Sequence, residues 1–183
     1  MRINYPSKIT IGICLFALGV LLLLFKPKAD ASVLSVNQVA TLEEFALINE
    51  IDAEKIPQKI LIPDLKLNVN VQVSFVKSGY WEVFDDKAGW GVGSAYPGEI
   101  GNVVIFGHAK DNLFGNLKYI KKGDSVFVLT NKTWFEYKVD DVLEVLPTDT
   151  KIIAPSSEEK KLTLYTCSGY KDSKRLVVVL SVD

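Results

Sequence analysis

The chain has 183 residues, 21 Lys plus Arg against 22 Asp plus Glu, 48% apolar and 23% charged residues. That is room for one domain of about 100–200 residues with an appendage, and the composition excludes a disordered or fibrous chain. The net charge of −1 excludes a polybasic nucleic-acid binder, the single histidine (His108) excludes a multi-histidine metal site, and two cysteines without a Cys-x-x-Cys exclude a cysteine-rich zinc site or a thioredoxin-type pair.

Residues 9–25 form a run of 17 residues without a charge, with Lys8 before it and Lys26 and Lys28 after it. A helix crossing a hydrocarbon core of ~30 Å needs roughly 17–25 such residues, and a core helix of a small domain keeps a polar face. The run is therefore expected to be a transmembrane anchor, with the N-terminus cytoplasmic and the rest extracytoplasmic. Ala29-Asp30-Ala31 resembles an A-x-A cleavage site, so a cleavable signal peptide is the alternative. The two lysines and Pro27 just before it favour a retained anchor. The tail, anchor and membrane-proximal residues occupy 1–31.

Residues 32–58 read as a stalk with one short helix. Thr41-Leu42-Glu43-Glu44 is a capping-box pattern, and Leu42, Phe45 and Ile48 follow at helical spacing. From residue 59 the pattern becomes strand-like. Strands are expected at 60–62, 67–73, 103–106, 126–130, 134–146, 162–166 and 176–182, with a turn at Lys122-Gly123-Asp124. The glycine-rich 89–93 lacks phosphate-loop spacing and reads as a turn leading Trp90 and Tyr96 toward the histidine. Glu82, Asp85, Asp86 and Glu99 are scattered carboxylates without calcium-ligand spacing, and Asp140-Asp141 reads as a solvated strand edge. Many short strands with little helix indicate an all-β barrel or sandwich over 59–183.

Beyond the anchor, the chemistry-bearing residues are few. Cys14 lies inside the apolar run, so Cys167 is the one thiol of residues 32–183, beside His108 and Arg175. Each alone has an ordinary reading: a polar strand end, a packed small hydrophobe, a solvated rim residue. Together they fall where strands meet loops, which is where scaffolds present reactive groups. A thiol nucleophile needs a partner that exchanges a proton near neutral pH, and histidine does this unperturbed. A tetrahedral intermediate needs a fixed donor, and arginine supplies a fork that stays protonated. The chain uses lysine 19 times and arginine twice, so an arginine eight residues after Cys167 invites explanation.

Leu162-Thr163-Leu164-Tyr165-Thr166-Cys167 resembles the T-L-x-T-C signature of the sortases, and residues 97–108 resemble the family's segment leading to its histidine. Arg175 stands where that family has its arginine. The resemblance covers roughly residues 59–183. It implies an eight-stranded sortase-type β-barrel with short helices behind an N-terminal transmembrane helix. It further implies a cysteine transpeptidase acting on exported proteins that bear a Leu-Pro-x-Thr-Gly-like sorting signal. Cys167 would attack the Thr carbonyl, His108 would protonate the leaving amine, and Arg175 would hold the oxyanion or substrate backbone. An amine from a cell-wall precursor or a pilin lysine would resolve the thioester. No cofactor or metal is expected.

Tyr165 and Thr166, next to the cysteine, and the apolar Ile152-Ile153-Ala154 on the loop 147–161 are candidate substrate contacts; capping of the barrel is the other reading of that loop. The T-L-Y-T-C version and the compact size lean toward class D or E. Two further functions remain open: an exported thiol hydrolase without transfer, and a non-enzymatic β adhesion module on a membrane stalk.

Overall fold

A computed structural model describes residues 51–182. The expected membrane segment at 9–25 and the helix around 41–48 lie outside these residues. Among the described residues no helix is long and apolar enough to cross a membrane.

Ten strands follow in chain order: β1 (Lys59–Ile62), β2 (Leu67–Ser74), β3 (Val76–Lys77), β4 (Tyr80–Trp81), β5 (Ala88–Gly91), β6 (Gly101–Phe106), β7 (Ser125–Leu129), β8 (Trp134–Val145), β9 (Lys160–Ser168) and β10 (Lys174–Ser181). Eight of them close a barrel in the order β1-β2-β5-β6-β9-β10-β8-β7, and β3 and β4 form a separate two-stranded ribbon. Among the described residues the helical elements are short 3-10 turns at Pro63–Leu65, Gly115–Tyr119, Thr150–Ile153 and Tyr170–Asp172.

Alternation explains most staves. In β2, Leu67, Val69 and Val71 are buried while Asn68, Asn70 and Gln72 face water. In β9 and β10, Leu162, Leu164, Leu176, Val178 and Leu180 fill the barrel core. That sends Thr163, Tyr165, Cys167 and Arg175 to the outer face. β6 is buried at every position, so it reads as a continuous apolar run rather than an alternating one. Two neighbour pairs are parallel, β2 with β5 and β6 with β9. Parallel neighbours need crossovers, and β7 and β8 lie within the one from β6 to β9.

Three features depart from the sequence reading. The glycine-rich stretch is a turn only at Val92-Gly93: Ala88–Gly91 is the fully buried eighth stave, and Trp90 is 2% exposed in the core. Its glycines are small because their neighbours are close. A Cβ on Gly89 would meet the Phe106 ring at 3.0 Å, and one on Gly91 would overlap the Trp81 ring. Next, Asp140-Asp141 is solvated as expected, but by way of a bulge. The β8–β10 register shifts there, from Val179↔Asp141 to Leu180↔Val139, so Asp140 is a bulge residue and two successive aspartates face solvent. Finally, residues 51–58, expected as stalk, are fastened to the barrel. Ile51 and Ile56 pack on its core, the Asp52 N–H donates to the Tyr96 hydroxyl (3.0 Å), the Gln58 N–H donates to the Leu129 carbonyl (2.7 Å), and Lys55 pairs with Glu99 (2.8 Å).

Candidate active site

β9 runs between β6 and β10, and the register of the three strands builds the site. Cys167 stands directly opposite Arg175 in the antiparallel β9–β10 pair. In the parallel β6–β9 pair the last partners are Phe106 and Tyr165, and the Gly107 N–H continues the ladder to the Tyr165 carbonyl (3.3 Å). Two residues beyond each of those partners are His108 and Cys167. By register the three residues that the sequence singles out therefore fall at one level, Cys167 on β9, Arg175 on β10 and His108 just past the end of β6.

Each is anchored differently. The Thr166 hydroxyl donates to the Gly107 carbonyl at 2.7 Å, which ties the residue before His108 to the residue before Cys167. The chain then turns back: the Phe114 N–H donates to the His108 carbonyl (3.1 Å), while Leu113 and Phe114 are 1% and 0% exposed in the core. The His108 ring remains 41% exposed. Arg175 Nη1 donates to the carbonyls of Asp172 and Lys174, both at 2.9 Å. The turn that presents the Asp172 carbonyl holds Lys171 and Asp172 at φ 51° and 58°, a left-handed conformation that non-glycine residues seldom adopt. Both bonds use Nη1, and Nε and Nη2 of Arg175 are not engaged by them.

A groove of about 700 Å³ is lined in part by Arg175, one strand from the thiol. Trp81 of the ribbon, Leu146, Ile152 and Ile153 of the loop after β8, and Tyr165 of β9 are among its lining residues. Ser78 and Gly79, between β3 and β4, both have positive φ (52° and 83°), the signature of a tight two-residue hairpin turn. The ring of Trp81 stacks on Phe106 (centroids 5.5 Å), Phe106 stacks on Tyr165 (5.3 Å), and the Trp81 Nε1–H donates to the Val92 carbonyl (3.2 Å). Burial pushes the Tyr165 phenol up to about 12, against the pull of the Arg175 guanidinium and with a further push from Cys167. Tyr165 is thus a neutral group beneath the site.

The expected substrate contacts divide accordingly. Tyr165, Ile152 and Ile153 line the groove. Ala154 is not among the lining residues; its carbonyl accepts from Asn102 Nδ2 at 3.2 Å. Thr166, expected as a substrate contact, does not line the groove: it is 3% exposed and gives its hydroxyl to the Gly107 carbonyl. Residues not anticipated include Trp81, Asn102 and Asp85. The Ser-Gly turn followed by two aromatics was the available signal for the ribbon. Asp85 Oδ1 lies 3.9 Å from His108 Nε2, beyond hydrogen-bond reach, and is engaged by Lys110 Nζ at 2.7 Å. That ammonium holds the Asp85 carboxyl below its usual range. Among the described residues no three His, Cys, Asp or Glu cluster as a metal site, and Glu82 and Glu99 pair with Lys77 and Lys55.

Residues 60–182 match the family model of the Sortase domain. The chain belongs to the sortase family. Sortase A of Bacillus anthracis is 37% identical over 82 residues, covering 43% of this chain and 39% of that protein. Sortase D of Bacillus subtilis (strain 168) is 29% identical over 99 residues, covering 54% and 50%. This sortase thus spans half or less of the length of these curated relatives. The solved sortase A lid mutant of Corynebacterium diphtheriae superposes with a TM-score of 0.61 at 29% identity, covering 84% of this chain and 83% of that one. The eight-stranded barrel of this sortase is the family fold, and a class D or E type is compatible with these likenesses.

Proposed function

We propose that this sortase is a cysteine transpeptidase that cleaves a Leu-Pro-x-Thr-Gly-like sorting signal between Thr and Gly and passes the acyl group to an amine. The observation that supports this reading is a strand register that sets Cys167 opposite Arg175 and level with the segment ending in His108, with Arg175 lining an apolar-walled groove. The Cys167 thiolate attacks the Thr carbonyl carbon, and the C–N bond breaks as His108 gives its proton to the departing Gly amine. The guanidinium of Arg175 stabilises the oxyanion in between. The thioester is then attacked by an acceptor amine, whose proton returns to His108 as the thiolate leaves. Atoms and charge balance over the two halves, and one imidazole serves both. The Ile152-Ile153 wall receives the apolar Leu-Pro of the signal.

The cellular setting belongs to the same proposal. Residues 9–25 would hold the domain to the membrane with the N-terminus cytoplasmic, where it meets exported proteins bearing the signal and an amine from a cell-wall precursor or a pilin lysine. The uncharged run and its flanking lysines support this.

Trapping the acyl-enzyme on Cys167 with a library of sorting-signal peptides, read by mass spectrometry, tests mechanism and specificity together. Cys167→Ala, His108→Ala and Arg175→Ala should each abolish cleavage while the protein stays folded. An added amine should yield an aminolysis product. Hydrolysis alone would leave a thiol hydrolase, and full cleavage by folded Cys167→Ala would refute the mechanism.

A further inference from the structure

The groove wall formed by residues 146–153 contains one short element, the 3-10 turn Thr150–Ile153. A buried polar pair holds it. Asn102 on β6 is 4% exposed and Thr163 on β9 is 1% exposed. The Thr163 hydroxyl donates to Asn102 Oδ1 at 2.8 Å. That bond leaves Nδ2 directed at the loop, where it donates to the carbonyls of Ala154 (3.2 Å) and Ile152 (3.4 Å). The opposite amide orientation would set an oxygen against two carbonyl oxygens, so the network fixes the rotamer. The two captured carbonyls flank Ile153, and Ile152 and Ile153 are groove-lining residues.

We propose that Asn102, oriented by Thr163, is a positioning residue for substrate: it touches no peptide, yet it sets where Ile152 and Ile153 stand in the groove. This rests on the transpeptidase reading above. The physical case is a contrast in supports. The barrel staves are held by continuous ladders, whereas this wall meets β6 through an amide whose hydrogen bonds are made in a buried, low-dielectric place. Asn102 lies six residues before His108, so its loss should be felt along the groove and not at the thiol.

Test the full chain with a sorting-signal peptide that it cleaves. Asn102→Asp keeps the acceptor for Thr163 but turns a carboxylate oxygen toward two carbonyls. Its KM should rise about tenfold or more, with kcat within about threefold. Alkylation of Cys167 by iodoacetamide, which needs no groove, should keep its rate. Thr163→Val should raise KM in the same sense, and Thr163→Ser, which retains the hydroxyl, should restore it. Tryptic cutting after the exposed Lys151 should quicken in Asn102→Asp relative to other sites, a readout independent of turnover. An unchanged KM in folded Asn102→Asp, or a parallel fall of kcat and alkylation rate, overturns the proposal. If Asn102→Asp does not fold, the Thr163 pair decides it: equal KM in Val and Ser variants overturns it. If the unmutated chain cleaves no sorting peptide, the transpeptidase reading fails and with it the substrate role, while the tryptic arm still shows whether Asn102 holds the wall.

Discussion

Thr166→Val probes the link between the histidine and cysteine strands. Valine matches the shape of threonine, so no cavity opens, and the site is 3% exposed. What disappears is the 2.7 Å bond from the Thr166 hydroxyl to the Gly107 carbonyl. Leaving that carbonyl without its buried donor costs about 1–3 kcal/mol. For a domain of this size each kcal/mol lowers the melting temperature by about 3–5 °C. The kinetic effect comes from the next residue. Gly107 precedes His108, and displacement of a catalytic group by about 1 Å can cost roughly 100-fold. A fall in kcat/KM of about 10- to 100-fold is therefore expected, with the urea midpoint lowered. Thr166→Ser, which keeps the hydroxyl, should recover most of both. Peptide cleavage and urea titration on the three proteins decide the matter. A Thr166→Val protein with unaltered stability and turnover would show that the strap positions nothing, and a Thr166→Ser protein as poor as Thr166→Val would show that the methyl, not the hydroxyl, matters.

Other perturbations follow from the groove and its lining. Gly91→Ala puts a methyl into the Trp81 ring; it should cost about 1–3 kcal/mol, raise KM by moving that lining residue, and alter indole fluorescence. The raised Tyr165 phenol predicts an alkaline slope: above pH 10 the unfolded phenol loses its proton while the folded one keeps it, so stability falls as pH rises toward about 12. Fully developed, that loss is about 2–3 kcal/mol. Urea titrations across this window should show a shallower slope in Tyr165→Phe, with a remainder from Tyr137, which burial also raises. Asp85→Asn should change kcat/KM by less than about threefold, and less still at high salt, because the carboxylate is 90% exposed and 3.9 Å from the ring; a tenfold loss would mark Asp85 as a working partner of His108.

Seven staves were legible because each either alternates or forms a short apolar run. β5 was hidden because its two glycines carry no hydrophobic signal; they are small for the sake of Phe106, Ser74 and Trp81, none of them adjacent in sequence. The ribbon β3–β4 is two residues a side, below the length at which a period can be seen. His108, Cys167 and Arg175 stood out through scarcity and position, whereas their common level depends on strand register, which no local pattern encodes. Thr166 was a misreading that the alternation could have prevented: if Tyr165 and Cys167 face outward, the residue between them faces the core. Asn102 carried no signal at all, since its partners lie 50 to 61 residues away.

The parallel pairing of β6 with β9 bears on how the protein acquires its chemistry. β9 and β10 follow all the other staves in the chain, yet they insert between β6 and β8. Before they insert, the rest of the barrel is an open sheet with its two ends unpaired. Closing it requires contacts of long sequence separation, which form slowly. Cys167 lies on β9 between β6 and β10, so its register against both neighbours, opposite Arg175 and level with the end of β6, exists only once the barrel is closed.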